Sequence, residues 1–233
     1  MKWKALATDY DGTIATHGDL DEPTANSLRK LRENKAQVLL VTGREMTDLH
    51  RLPIDLLLFD LIVAENGGII FRPSDGETRL LAGGPPAGFV EELHRRGVAP
   101  ISVGTSIVAT WEPHEVAVTE TIRDMGLELN VIFNKGAVMI LPAGVNKASG
   151  LAAALEELNL SPSEVVGVGD AENDHAFLEA CGMGVAVANA LPALKKHADF
   201  VMEAGHGAGV SELIDGMLNG KFDTFSRKKR ATK

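Results

Sequence analysis

The chain is predicted to be an α/β protein: a doubly wound parallel sheet, Rossmann-like, with a smaller α+β unit inserted into it. Two observations carry the first part. Short apolar runs such as Ala5-Leu6-Ala7, Gln37–Val41 and Val165–Gly169 alternate with longer amphipathic segments, the pattern of parallel strands joined by crossover helices. Each run also ends in a polar, glycine-containing loop, and open parallel sheets bind ligands at that edge. A third observation predicts the insert, because from about Ser74 to Pro142 helices alternate with antiparallel strands. The 233 residues accordingly divide into a core of 1–75 and 143–220, an α+β insert of 76–142, and a basic tail of 221–233.

Taken in order, residues 3 to 8 read as a short buried strand. Glu22 and Pro23 mark the start of a helix running to Asn34. The strand Gln37–Val41 follows, then a helix from Glu45 to Arg51 that stops before Pro53. Leu61–Ala64 is a strand, and Asn66-Gly67 predicts a tight turn into Ile69-Ile70-Phe71. In the insert, glycine and proline cluster at Gly83-Gly84-Pro85-Pro86, and helices are expected over Phe89–Arg96 and His114–Met125. Between and after them lie strands at 101–103 and 107–110, and a hairpin of Leu129–Phe133 with Val138–Leu141. The core resumes with a helix to Leu158, N-capped by Asn146. Beyond the Val165–Gly169 strand come a helix Glu172–Ala180, a strand Gly184–Val187, a helix from Pro192, a strand Phe200–Met202 and a helix Val210–Leu218. Gly205-His206-Gly207-Ala208-Gly209 lacks the Lys/Ser pair of a phosphate-binding loop and is expected to be a plain loop.

Composition narrows the function. A net charge of −9 argues against a nucleic-acid surface across the body of the protein. The apolar runs are too short and too interrupted to span a bilayer, and Asp9 arrives before a signal-peptide core could form. The single cysteine, Cys181, excludes an internal disulfide, suits a reducing cytoplasm and reads as a buried helix-end residue. The exception to the acidic balance is the tail, where Lys221, Arg227, Lys228, Lys229, Arg230 and Lys233 face one acid, Asp223. A solvated, frayed terminus is expected there, with contact to nucleic acid or membrane as the alternative.

Chemistry concentrates at the strand ends. Asp9 and Asp11, in Asp9-Tyr10-Asp11-Gly12-Thr13, close the first strand two residues apart, so an extended backbone would point both carboxylates into one pocket. Two carboxylates that close call for a cation or a shared proton, unless the segment is only a solvated turn. The pattern suits a Mg²⁺ site in which one carboxylate attacks and the other moves a proton. Thr42-Gly43-Arg44 ends the second strand and offers small donors for an oxyanion; Arg44 either reaches a substrate or serves an ion pair. Asp170-Ala171-Glu172-Asn173-Asp174 ends the third, and by itself could be an acidic helix start favoured by the dipole. Lys147 stands at a capped helix N-terminus, where charge and dipole both favour an anion.

With these four segments in this order, the sequence resembles the haloacid dehalogenase superfamily of phosphatases, over residues 3 to about 215. The last motif and the place of the insert are most similar to the Cof-type and sucrose-phosphatase-like branch. The resemblance implies that Asp9 is the nucleophile, Asp11 the acid/base and Lys147 the charge that neutralises the transferring group. It implies Mg²⁺ held by Asp9, the Asp11 carbonyl and Asp170, with Asp174 bound directly or through water, and Asn173 orienting these carboxylates or touching substrate. Thr42, Gly43, Arg44 and Asn173, with Lys147, are the expected substrate-binding residues. The insert would be a mobile cap, and its size resembles the archaeal phosphoglycolate phosphatase type. Its polar candidates for substrate choice are Thr105, Ser106, Glu112, His114, Asn134 and Lys135. The strand Val138-Met139-Ile140-Leu141-Pro142 lacks a glutamate that many Cof-type members carry before the catalytic lysine, so the resemblance implies the chemistry but does not by itself carry over their sugar specificity. The expected activity is hydrolysis of small phosphate monoesters, of sugar-phosphate or phosphoglycolate type, by a cytoplasmic monomer or homodimer. A sugar phosphomutase and a non-catalytic binding module are the alternatives.

Overall fold

The structure, a computed structural model, describes residues 2–227. In chain order its elements are β1 (Ala5–Thr8), a small hairpin of β2 (Ala15–Thr16) and β3 (Asp19–Leu20), α1 (Glu22–Glu33), β4 (Gln37–Val41) and α2 (Met46–Leu49). Next come β5 (Leu61–Ala64), β6 (Ile69–Arg72), β7 (Glu77–Leu80), α3 (Phe89–Arg95), β8 (Ser102–Val103), β9 (Val108–Trp111), α4 (Glu115–Asp124), β10 (Leu129–Asn134) and β11 (Ala137–Pro142). The chain closes with α5 (Lys147–Glu157), β12 (Val165–Gly169), α6 (His175–Ala180), β13 (Met183–Ala186), α7 (Pro192–His197), β14 (Phe200–Val201) and α8 (His206–Leu218).

Eight strands form the main sheet in the order β14-β13-β12-β1-β4-β5-β6-β7. All pairings from β14 to β5 are parallel, while β6 and β7 run antiparallel at the edge. β1 and β12 are buried along their whole length and β4 from Val38 onward, as a sheet covered on both faces requires. β1 lies between β4 and β12, so crossovers leave it in both directions. The loops after β1, β4 and β12 therefore meet at a topological switch point, where a crevice opens.

The insert builds a second sheet, ordered β10-β11-β9-β8 and antiparallel throughout. Alternation along β11 sorts its two faces: Val138 and Ile140 pack with Phe89, Leu93 and Val118 beneath α3 and α4, while Met139 and Leu141 join Ile107 on the other face. Met139 reaches the core there, taking a contact from Asn66 Nδ2 at 3.1 Å.

Four local expectations are corrected. Glu77–Leu80, assigned to the insert by sequence, is the edge strand of the main sheet; all four residues are exposed, so it has no apolar pattern and joins through its backbone to β6. The helix expected from Glu45 to Arg51 is a single turn. The glycine-rich segment 205–209 is no loop but holds the first turn of α8. A Cβ on Gly207 would lie 2.0 Å from Thr24 Oγ1 in α1 and one on Gly209 2.3 Å from the Ala204 carbonyl, so Gly207 permits close packing of α8 on α1 and Gly209 lets the chain entering α8 fold against its first turn. The start of the basic tail is also anchored: Phe222 is buried, Trp3 Nε1 donates to its carbonyl at 3.3 Å, and Arg227 Nε donates to Asp199 at 2.9 Å. Residues 228–233, the rest of that tail, lie outside the described residues.

Cys181 caps the end of α6 and is buried, as expected. Burial pushes its thiol up to about 12. Little of the thiol is then ionised at pH 8, and the thiolate is the reactive form. The native protein is expected to resist a thiol-specific reagent that titrates one equivalent in denaturant; rapid native labelling would contradict this packing.

Candidate active site

Asp9 is the first residue beyond β1 and sits at the bottom of the crevice, 5% exposed. Its Oδ1 accepts from Lys147 Nζ at 2.6 Å and its Oδ2 from Thr13 Oγ1 at 3.0 Å. Asp170 follows β12 and Asp174 lies one turn on; with Asp9 they form a buried group whose carboxylate oxygens lie within 4.8 Å of one another. One Asp174 oxygen accepts from Lys147 Nζ at 2.7 Å, and the other accepts the Asp170 and Ala171 N–H groups at 2.8 and 2.9 Å. Asp174 thereby fixes the loop that carries Asp170.

Lys147 is the first residue of α5. Asn146 caps that helix, accepting from the Ala148 and Ser149 N–H groups at 2.9 and 3.0 Å. α5 can approach the sheet because Gly150 packs against Gly67: a Cβ on Gly150 would meet the Gly67 Cα at 2.5 Å. The helix start is thus held low enough for Nζ to bridge Asp9 and Asp174.

Burial, the largest influence, pushes the Asp9 carboxyl up to about 7; Lys147 works against that rise, and Asp174 and Asp170 add to it. Burial also raises Asp170, opposed by Lys135. Burial alone would push Lys147 down, but Asp174 and Asp9 outweigh it and hold the ammonium charged. Three buried carboxylates face one buried lysine, with the half-exposed Lys135 reaching Asp170 from the insert, which leaves an excess of negative charge. That excess, with an all-oxygen donor set, fits a hard divalent cation.

The sequence expectation that Asp9 and Asp11 share one pocket is corrected. β1 ends at Thr8 and the chain turns at Tyr10, so the period-two argument lapses between them. The Asp11 carboxylate instead makes a two-pronged pair with Arg44, accepting from Nε and Nη2 at 2.7 Å each. Of the two roles open to Arg44, the structure shows the ion pair. Thr42 is buried at the end of β4, and its Oγ1 accepts the Arg44 N–H at 3.1 Å. A Cβ on Gly43 would lie 3.4 Å from Asn66 Oδ1 and 3.7 Å from Asn173 Nδ2, which places Thr42-Gly43 and Asn173 on one wall.

Sequence reasoning set aside or missed four residues here. Asn66, read as a turn residue, accepts from Asn173 Nδ2 at 3.0 Å, while Asn173 Oδ1 is buried without a partner among the described residues. Thr13 bridges Asp9 and Asp170, the latter at 3.4 Å, and its place in the first motif was the available signal. Asn189 donates to the Gly12 carbonyl at 2.8 Å, and nothing local marks it. Glu65, buried with φ of 50°, accepts the Thr105 and Ser106 N–H groups at 3.2 and 2.6 Å and ties the insert to the core.

A family model for haloacid dehalogenase-like hydrolases matches residues 6–82 and 113–214, which includes every residue of this crevice drawn from the core. The chain belongs to the haloacid dehalogenase-like hydrolases. Among its relatives, a protein named phosphoglycolate phosphatase from Methanothermobacter thermautotrophicus is 32% identical over 91% of this chain and 97% of its own length. Another of that name, from Methanoculleus marisnigri, is 31% identical over 91% and 95%. Among solved structures, a haloacid dehalogenase-like hydrolase from Bacteroides thetaiotaomicron superposes with a TM-score of 0.80 at 20% identity, covering 92% of this chain and 99% of that one. A protein of Thermoplasma acidophilum superposes equally, with a TM-score of 0.80 at 20% identity over 93% and 98%. These two structures share the fold. Within the family the chain groups with phosphoric monoester hydrolases. No helix among the described residues is long and apolar enough to cross a membrane.

Proposed function

We propose that the protein is a Mg²⁺-dependent phosphatase that hydrolyses small phosphate monoesters, of sugar-phosphate or phosphoglycolate type, through an aspartyl-phosphate on Asp9. The observation that carries this reading is the buried Asp9–Lys147–Asp174 array, with Asp170 beside it, at the switch point of the sheet. The resemblance to enzymes named phosphoglycolate phosphatase supports the substrate class.

Asp9 Oδ1, already facing Lys147, attacks phosphorus, and the bond to the leaving oxygen breaks. Lys147, Thr42 and the Gly43 N–H supply positive charge and donors around the phosphoryl oxygens. Asp9, Asp170, the Asp11 carbonyl and, through its orienting role, Asp174 are the residues that would hold Mg²⁺. When bound, the ion supplies positive charge that favours ionised carboxylates and offsets the charge of the phosphoryl group. Asp11 gives its proton to the leaving oxygen and then takes one from the water that opens the intermediate, for which it must swing away from Arg44.

The test is phosphate release from a panel of phosphorylated metabolites, with Mg²⁺ and with EDTA. An isomeric sugar phosphate formed without free phosphate would overturn this reading in favour of a mutase, and no turnover at all would favour a binding module. Asp11→Asn is expected to lower turnover by about 10²–10⁴-fold while leaving Asp9 able to be phosphorylated. Rapid-quench trapping of the phosphoenzyme checks it, and an undiminished steady-state rate would remove Asp11 from the mechanism.

A further inference from the structure

Lys135 stands at the tip of the β10–β11 hairpin, in a left-handed conformation with φ of 49°. Of the insert's polar candidates, it alone among the described residues has a side chain bonded to the catalytic loops. Its Nζ donates to Asp170 Oδ2 at 2.6 Å and lies 3.4 Å from the Asp11 carbonyl. The others are engaged elsewhere or make no such contact: the Thr105 and Ser106 N–H groups are held by Glu65, and His114 Nε2 lies 3.0 Å from the Ala99 carbonyl. Gly12 leaves room for the lysine, since a Cβ there would lie 2.7 Å from Nζ.

Beside the catalytic carboxylates, Lys135 borders a cavity of about 340 Å³ whose wall also includes Asp11, Gly12, His17, Arg44 and His206. An acid at Asp11 must reach the leaving oxygen, so this cavity, bounded by Asp11, offers the leaving group a place. Arg44 is paired with Asp11 and is freed only while Asp11 swings to the leaving oxygen. Lys135 is not matched in the same lasting way, because its partner Asp170 is one of the carboxylates assigned to the divalent ion. Its Nζ contacts Asp170 and the Asp11 carbonyl, the same groups assigned to the ion, so with the ion in place the half-exposed ammonium would leave them and turn to the cavity, whose one carboxylate, Asp11, is paired with Arg44. His206 adds a second unmet group: its Nδ1 is buried with no hydrogen-bond partner among the described residues. The phosphoryl oxygens are assigned to Lys147, which is bonded to Asp9, and to Thr42 and Gly43 at the end of β4, so they do not answer this arrangement.

We propose that Lys135 is a specificity-determining residue that binds a carboxylate on the leaving group, so that the enzyme selects phosphate monoesters of small hydroxy acids. This rests on the phosphatase reading and narrows it. The insert thereby reaches the substrate from a hairpin tip, while the core handles the phosphoryl group.

A matched pair of esters tests it. 2-Phosphoglycolate and 2-hydroxyethyl phosphate have the same length and differ in carrying a carboxylate or a neutral alcohol. Wild-type kcat/KM is expected to favour the carboxylate ester, and Lys135→Met to reduce that ratio by about 10–10²-fold, the worth of one hydrogen bond to a charged group. Lys135→Arg should keep much of the preference. Calorimetric binding of 3-phosphonopropionate, compared with 3-hydroxypropylphosphonate, gives a readout independent of turnover, and the same ratio should collapse in Lys135→Met. A wild-type enzyme indifferent to the carboxylate, or a Lys135→Met ratio within twofold of wild type, overturns the assignment and leaves the phosphatase reading standing. Phosphate release from neither ester nor from any of the metabolite panel overturns the phosphatase reading itself.

Discussion

Asp9→Asn is expected to abolish turnover, with a loss of at least about 10⁴-fold, because the amide keeps the shape of the carboxylate but cannot attack phosphorus. The fold should survive the change. Asn Oδ1 can still accept from Lys147 and one negative charge leaves a crowded, buried cluster, the one whose burial raises Asp9 to about 7. Thermal melting in EDTA should therefore show a midpoint no lower than wild type. Wild-type phosphate release by Asp9→Asn would show that another group carries the covalent step.

Lys147→Met carries the largest expected cost in stability. Its ammonium is 1% exposed and is shared between Asp9 and Asp174 at 2.6 and 2.7 Å. Removing one partner of a buried ion pair leaves uncompensated charge and costs about 3–5 kcal/mol. The loss should depend on pH, and its sign follows from Asp9. In the folded state that carboxyl titrates near 7, above its ordinary value of 3.8, so the folded protein holds a proton that the unfolded chain releases. Such a group destabilises the fold progressively as pH rises from about 4 through 7, and loss of the lysine raises it further. Lys147→Met should accordingly lie closer to wild type at pH 5 than at pH 8 in denaturant titrations with EDTA present. Equal denaturation midpoints for the two proteins at pH 8 would contradict the buried-pair account. Activity should fall as well, by about 10²–10³-fold or more, as when a preorganised donor is removed from a charge-developing site.

The two substitutions act on residues that the sequence already exposes to view. Asp9 follows a run of apolar residues long enough for a buried strand, and Lys147 follows a capping asparagine, so each is placed by short-range pattern. The core strands are legible for the same reason: a parallel strand covered on both faces must be apolar throughout, as Val38 to Val41 and Val165 to Val168 are. β7 escaped that logic. An exposed edge strand is held by backbone hydrogen bonds that any residue can make, so Glu77-Thr78-Arg79-Leu80 carries no sign of it. α8 was shortened by the opposite error, because glycine reads as a helix breaker where its role is to let Thr24 and Ala204 approach.

What the sequence alone determined was the alternating α/β order, the strand ends that bear the site, and the chemical kinds of residue gathered there. Burial and backbone propensity act over a few residues, and a linear pattern records them. Tertiary structure decided which of those groups face one another. Asp11 turns to Arg44, 33 residues away, instead of toward Asp9, and Lys135 crosses from the insert to Asp170, 35 residues away. Such contacts depend on how loops close and how two sheets are set against each other. A charge at a loop tip looks the same in sequence whether it meets water or a buried carboxylate.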